Sequence, residues 1–232
     1  MGEKPEVIPT GLEHLALIRH GAMFVAGETA ANLDDFKINN DAIGSALNAI
    51  YQAATCHRKC HGGPHIFESL CGRAYNLGCA AYNLTIFGLY DEALNLIRGL
   101  GELTNLVMLS ALDGAKIQEW IHASREDRMK HFGPAKVRRM VKAKGMDPCA
   151  TDKWYSEMSE SYTHVTPSTQ PNFHGGSAFV GGKLEKEGMK ECFGALLYVL
   201  VTLALFVCRF FEYDDLFAEI KGKLQKVSQD QT

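Results

Sequence analysis

Apolar residues recur along this chain at spacings of three and four, the period of one helix face. No convincing period-two run between turn residues stands against it, apart from the short stretch Ser177 to Val180. The pattern predicts an all-α chain. Asn40 or Asp41 can cap a helix whose larger apolar residues fall at Ile43, Leu47, Ile50 and Ala54, with small residues in a parallel stripe at Ala42, Ala46, Ala49 and Ala53. Continued at the same spacing, the stripes take in His57 and His61 on one side and Cys56 and Cys60 on the other. The helix is therefore expected to reach Gly62-Gly63-Pro64. Two more are expected from about Ile66 to Phe87 and from about Asp91 to Leu112, the latter closed by Asp113-Gly114.

Shorter amphipathic pieces follow at Lys116 to Ala123, Arg125 to His131 and Pro134 to Lys144, and Thr151 or Asp152 opens a helix through His164. Pro167 to Gly188, with Pro171 and two glycine pairs, reads as a long irregular loop, which in a compact domain is functional or disordered. The last strong element, about Lys190 to Tyr213, is apolar on nearly every face. These elements specify a helical bundle with a largely apolar central C-terminal helix and one long Gly/Pro-containing loop. The bundle domain is placed at residues 41–213, between a poorly patterned N-terminal extension, 1–40, and a polar C-terminal tail, 214–232.

Composition changes this picture little. At 232 residues and 46% hydrophobic content the chain can bury a core without staples, and a net charge of -3 gives no global attraction to nucleic acid or anionic lipid. Seven cysteines, an odd number spread along the whole chain, and a first ten residues without a basic or apolar leader point to the cytoplasm. Cys192 to Cys208 is a 17-residue run without charge, at the lower limit for a membrane span. Acidic residues follow it at once and no basic flank marks it, so a buried bundle helix is expected and a membrane anchor is the alternative.

Three stretches carry candidate chemistry. Ala53 to His65, AATCHRKCHGGPH, holds two cysteines and three histidines. Spacing of four places His57 over His61 and Cys56 over Cys60, within reach of a zinc ion, yet the cysteines equally continue the alanine stripe. No CxxC pair is present, and the expectation is no metal and no cofactor. Next, Asp91, Asn95, Arg98, Glu102 and Asn105 draw a narrow polar seam along a helix that is otherwise leucine-rich. That seam is either a solvated edge with an Arg98–Glu102 pair or the wall of a cleft. Third, WYSEMSESYTHVTP, Trp154 to Pro167, sets Glu157, Glu160 and His164 on one face, with Ser161 beside Tyr162 and Tyr155. A carboxylate one turn from an imidazole can fix its tautomer for acid–base work or anion binding, and a histidine at a helix C-terminus is also favoured by the macrodipole alone. Ser161 stands where a four-helix di-metal motif would need glutamate, and the GGSAFVGGKL loop fails the phosphate-loop pattern at Ser177 and Leu184.

Arg125 to Gly145 carries eight Lys or Arg against two acids, a patch that could touch RNA or a partner protein, or simply be solvated. In order, LNLIRGLGEL, IQEWI with its basic helix, WYSEMSESYTHVTP and the apolar closing helix resemble uncharacterised prokaryotic helical-bundle proteins grouped loosely with the HEPN superfamily. The resemblance spans Leu70 to Tyr213. It implies a binding or regulatory module, in prokaryotic stress or phage defence, with Arg98, Glu102 and His164 as its catalytic-type residues and Tyr155 beside them. Glu160, Ser161, Arg125, His131 and the loop residue His174 complete the candidate ligand-binding set. Members with an Arg-x(4-6)-His motif are metal-independent RNases, and Arg125 to His131 has that spacing. A homo-oligomer is the expected assembly.

Overall fold

A computed structural model describes residues 8–60, 64–167, 169–174 and 176–230. Among the described residues the chain forms ten α-helices and no strand, so Ser177 to Val180 is irregular and the fold is an all-α bundle. The helices are α1 Gly11–Ala31, α2 Lys37–Ala54, α3 Ile66–Ile86, α4 Tyr90–Leu112, α5 Gly114–His122, α6 Arg125–Phe132, α7 Pro134–Ala143, α8 Asp152–Tyr162, α9 Lys186–Phe211 and α10 Asp214–Asp230.

α9 is the central rod. It packs against α2, α3, α4 and α10, burying Phe193, Leu196, Leu200, Leu203, Val207 and Phe211. Its length and apolarity would suffice to cross a membrane; 61% of its most apolar window is buried against neighbours, while Gly194, Tyr198 and Phe210 are exposed. The alanine stripe of α2 is fully buried at Ala42, Ala46, Ala49 and Ala53, and α2 is among the helices packed most extensively on α9. Small side chains let the two backbones approach.

α2 ends at Ala54, well short of the expected stop. His57 N–H donates to Gln52 O at 3.0 Å and Cys56 N–H to Ala53 O at 3.3 Å, the paired bonds of a Schellman turn with Cys56 left-handed at φ 52°. Cys56 and Cys60 therefore leave the helical stripe instead of continuing it, while His61, Gly62 and Gly63 lie outside the described residues. The same turn closes α3 with a glycine in that place: Gly88 has φ 71°, and a Cβ there would sit 2.3 Å from the Lys183 carbonyl oxygen. The long loop thus crosses directly over the α3–α4 corner.

Both flanking segments are helical. α1 occupies much of the stretch read as a poorly patterned extension, with Val25 and Thr29 buried and Leu12, Leu15, Ile18, Met23 and Phe24 exposed. The stretch read as a polar tail is α10, which buries Leu216 and Ile220 and ties to α2 through Lys223–Asp41 at 2.8 Å and Ser45 Oγ to Glu219 at 2.6 Å.

α4 and α8 meet where a glycine makes room. A Cβ on Gly101 would lie 2.8 Å from the Trp154 ring, whereas one on Gly99, two residues earlier, would meet nothing within 4 Å. Gly101→Ala should therefore overpack this contact and cost about 1–3 kcal/mol. Gly99→Ala should gain helix propensity worth up to about 1 kcal/mol. Urea unfolding of the two variants checks the opposite signs, and two shifts in the same direction would contradict this packing.

Candidate functional site

The polar seam of α4 faces the α7–α8 connection, α8 and the long loop: Asp91, Asn95, Arg98 and Asn105 find partners there, and Glu102 pairs with Arg98. Tyr155 and Ser159 lie one turn apart on α8, and so present a hydroxyl pair to one face. Arg98 Nε donates to Ser159 Oγ at 2.7 Å, and Nη2 donates to the Tyr155 hydroxyl and pairs with Glu102 at 2.9 Å. The Tyr155 ring is also flanked by two guanidiniums, with Arg98 Cζ at 4.5 Å and Arg138 Cζ at 4.6 Å from its centroid. Arg138, on α7, is buried and donates through Nε to Asp152 at 2.6 Å, while its buried Nη1 has no hydrogen-bond partner among the described residues. Further along, Thr163 Oγ1 donates to Asn95 at 2.9 Å and Asn105 donates to the Ala150 carbonyl at 3.1 Å.

At the N-terminal end of the seam the loop supplies both a cap and a charge clamp. The α4 N-cap position is Leu89, which offers no side-chain acceptor, and loop residue Asn172 takes its place by accepting from Tyr90 N–H at 3.1 Å. Asn172 N–H donates to Asp91 at 2.7 Å, and its side-chain amide donates to Gly181 O at 2.8 Å. His174 sits between two carboxylates, Nε2 at 3.0 Å from Asp91 and Nδ1 at 3.3 Å from Glu191, with its side chain only 6% exposed. The hydrogen bonds to Asp91 and then Glu191 outweigh burial and raise this imidazole to about 9, so it is an imidazolium at neutral pH. Burial works to raise Asp91, but His174 and the Asn172 N–H hold it below its usual value; Glu191 is lowered chiefly by His174 and also accepts from Tyr162.

These contacts leave a two-lobed cleft. The larger lobe, about 880 Å³, is lined by Asp91, Glu92, Glu160, Ser161, His164, His174 and Glu191 among others. The smaller, about 480 Å³, is lined by Arg138, Asp152, Tyr155, Ser159, Glu160 and His164, so that Glu160 and His164 belong to both. Glu102 lines a third cavity, about 490 Å³, with Arg73, Asn95, Phe132 and Val137.

Of the residues singled out in the sequence, Glu160, Ser161, His164 and His174 gather at the large lobe, and Tyr155 at the small one. Arg98 and Glu102 sit in the α4–α8 contact. His164 is exposed beyond the end of α8, its backbone N–H bonded to Ser159 O at 2.9 Å. The imidazole that reaches the α4 seam is that of His174. Arg125 and His131 are exposed on α6 and line neither lobe. Ser159, Arg138, Asn172 and Glu191 were not singled out. Only Ser159 left a signal, its spacing of four from Tyr155 matching that of Arg98 and Glu102 on the facing helix.

The His174 clamp implies a pH signature. The folded imidazole titrates near 9 against about 6.5 unfolded. Its contribution is complete below about pH 6.5 and is lost as pH rises through 9. Asp91 and Glu191, lowered, lose theirs only in acid. The stability difference between the parent and His174→Gln should be about 1.5–3 kcal/mol near pH 6 and should shrink toward about pH 9.5. Denaturant titrations at the two pH values measure it, and a difference independent of pH would mean that the folded imidazole is neutral.

No protein-family profile, curated protein or solved structure matches this chain.

Proposed function

We propose that this chain is a non-catalytic, HEPN-like binding module whose two-lobed cleft takes a small polar ligand bearing positive charge. The observation that carries this reading is the commitment of Arg98: Nε is engaged by Ser159, Nη2 by Tyr155 and Glu102, and its face by the Tyr155 ring. A guanidinium held on these sides serves to build the wall of the cleft, which argues against a role on a phosphorane. The wall it supports carries more carboxylate than cation, since Asp91, Glu92, Glu160 and Glu191 face the large lobe with His174 as the compensating charge. Such a lining attracts a cation and repels a phosphate.

The RNase reading would use His164 or His131 as base. His131 and Arg125 stand on an exposed helix away from the cleft, and His164 shares its cavities with acids. A role in prokaryotic stress or phage defence rests on the resemblance alone. A reducing cytoplasm suits a chain whose buried thiols, Cys71, Cys149, Cys192 and Cys208, are packed as apolar groups.

Calorimetric titration with spermidine as a cationic probe should show binding in low salt that weakens with ionic strength. Glu92→Gln and Glu160→Gln should each weaken it up to about fivefold. An RNA oligonucleotide incubated with the parent should stay intact. RNA cleavage that disappears in His164→Ala or His131→Ala would replace the binding module with the nuclease.

The exposed apolar side chains of α1 support self-association through that helix. Sedimentation should give an oligomer for the parent and a monomer for the Leu15→Glu, Ile18→Glu double variant. Equal masses for both would remove α1 from the interface.

A further inference from the structure

Between the end of α2 and the start of α3 lies a second group of chemically matched side chains. Cys56 and Cys60 stand in the connection, His65 at the boundary of α3 and Glu68 in its first turn. One ligand atom from each, two sulfurs, a ring nitrogen and a carboxylate oxygen, lies within 4.8 Å of all the others. We propose that these four side chains bind one Zn²⁺ ion, which clasps the α2–α3 connection.

The donor set selects the metal class. Two thiols and an imidazole suit zinc and are poor ligands for magnesium or calcium. Tetrahedral zinc, with bonds of about 2.0–2.3 Å, requires ligand atoms about 3.3–3.8 Å apart, which the existing backbone nearly provides. Cys60 Sγ and His65 Nε2, now hydrogen-bonded at 3.0 Å, must separate by about half an ångström to admit the ion. With four protein ligands the site is closed, so its role is structural.

Glu68 completes the set from the α3 side. The residue is 5% exposed, and its carboxylate oxygen lies within 4.8 Å of the donor atoms of Cys56, Cys60 and His65, so an ion held by those three would meet a fourth, anionic ligand. The backbone points the same way. Cys56 closes α2 in a left-handed conformation, at φ 52°, where Gly88 and Gly145 serve in the closing turns of α3 and α7, and His65 is left-handed at φ 48° where α3 begins. A side chain kept where glycine would be unstrained fits a sulfur or a nitrogen with a task.

The ligands span residues 56–68, a short loop to close. Between the two cysteines, Arg58 pairs with Asp215 and Lys59 with Glu212, both at 2.6 Å, so the clasped connection is also fastened to the α9–α10 corner. His57 is exposed and outside the cluster, which separates this site from a pair of histidines on a continued helix.

The full chain, purified without chelator, should carry one equivalent of zinc by elemental analysis. Its cobalt-substituted form should show the absorption of tetrahedral thiolate coordination. In competition with a chromophoric chelator, zinc affinity should fall in Cys60→Ser and His65→Asn by more than the about 10–100-fold typical of outer-shell changes. His57→Gln should bind as the parent does. Because Cys60 and His65 are exposed, the metal-free variants should keep the parent's helical circular dichroism. Substoichiometric zinc, unchanged affinity in Cys60→Ser or His65→Asn, or loss in His57→Gln overturns the proposal. So does a Cys56–Cys60 disulfide in the purified protein that zinc does not prevent.

Discussion

A guanidinium held 16% exposed between two helices needs polar partners, and the ones that Arg98 finds for Nε and Nη2 arrange the outer side of α4. Its fork reaches one hydroxyl through Nε and another through Nη2, which ties the rotation and register of α8 to the pair Tyr155 and Ser159, one turn apart. Apolar contact at Gly101 and Trp154 sets how closely the helices approach. Dispersion and burial hold α8 on α4, and the buried charge chooses the orientation.

With α8 so placed, its C-terminal end and the following loop have a fixed starting point, and the loop returns to the start of α4. There Asn172 supplies the cap that Leu89 cannot, and His174 places one positive charge between the carboxylates of Asp91 and Glu191. The long loop is therefore a structural part of α4 and the rim of the cleft at once. A cleft made this way is polar because its walls are the seam residues and their partners, not because a separate site was added to a finished bundle.

The α2–α3 connection is organised by different forces. Where α3 and α7 end on glycine, α2 ends on Cys56 and α9 on Glu212, and the residues beside these two turns are joined by salt bridges. Exposed pairs of this kind contribute little each. Their value lies in holding a local cluster of donors in one place, remote in sequence from the α4–α8 seam and independent of it.

Much of the fold was legible in the chain, for a physical reason: helices that bury one stripe must repeat apolar residues at helical spacing, and α3 to α7 fall within a few residues of where that spacing puts them. The end of α2 was not legible, since a Schellman turn with cysteine in the glycine position leaves no punctuation. α1 was missed because its apolar residues lie on all sides and bury little. At the site, the α4 seam showed itself as a line of polar residues on a greasy helix, and the Tyr155 side of α8 as its counterpart. The choice of Ser159 over Ser161, and of His174 over His164, was invisible: the first turns on the rotation of one helix about another, the second on a loop that folds back some eighty residues to Asp91. The chain by itself determined which segments are helical and which residues need partners once buried, since both follow from local spacing and side-chain chemistry. Only the tertiary structure decided who those partners are, because the hydrogen bonds and charges that satisfy them come from residues whose separation along the chain carries no periodic mark.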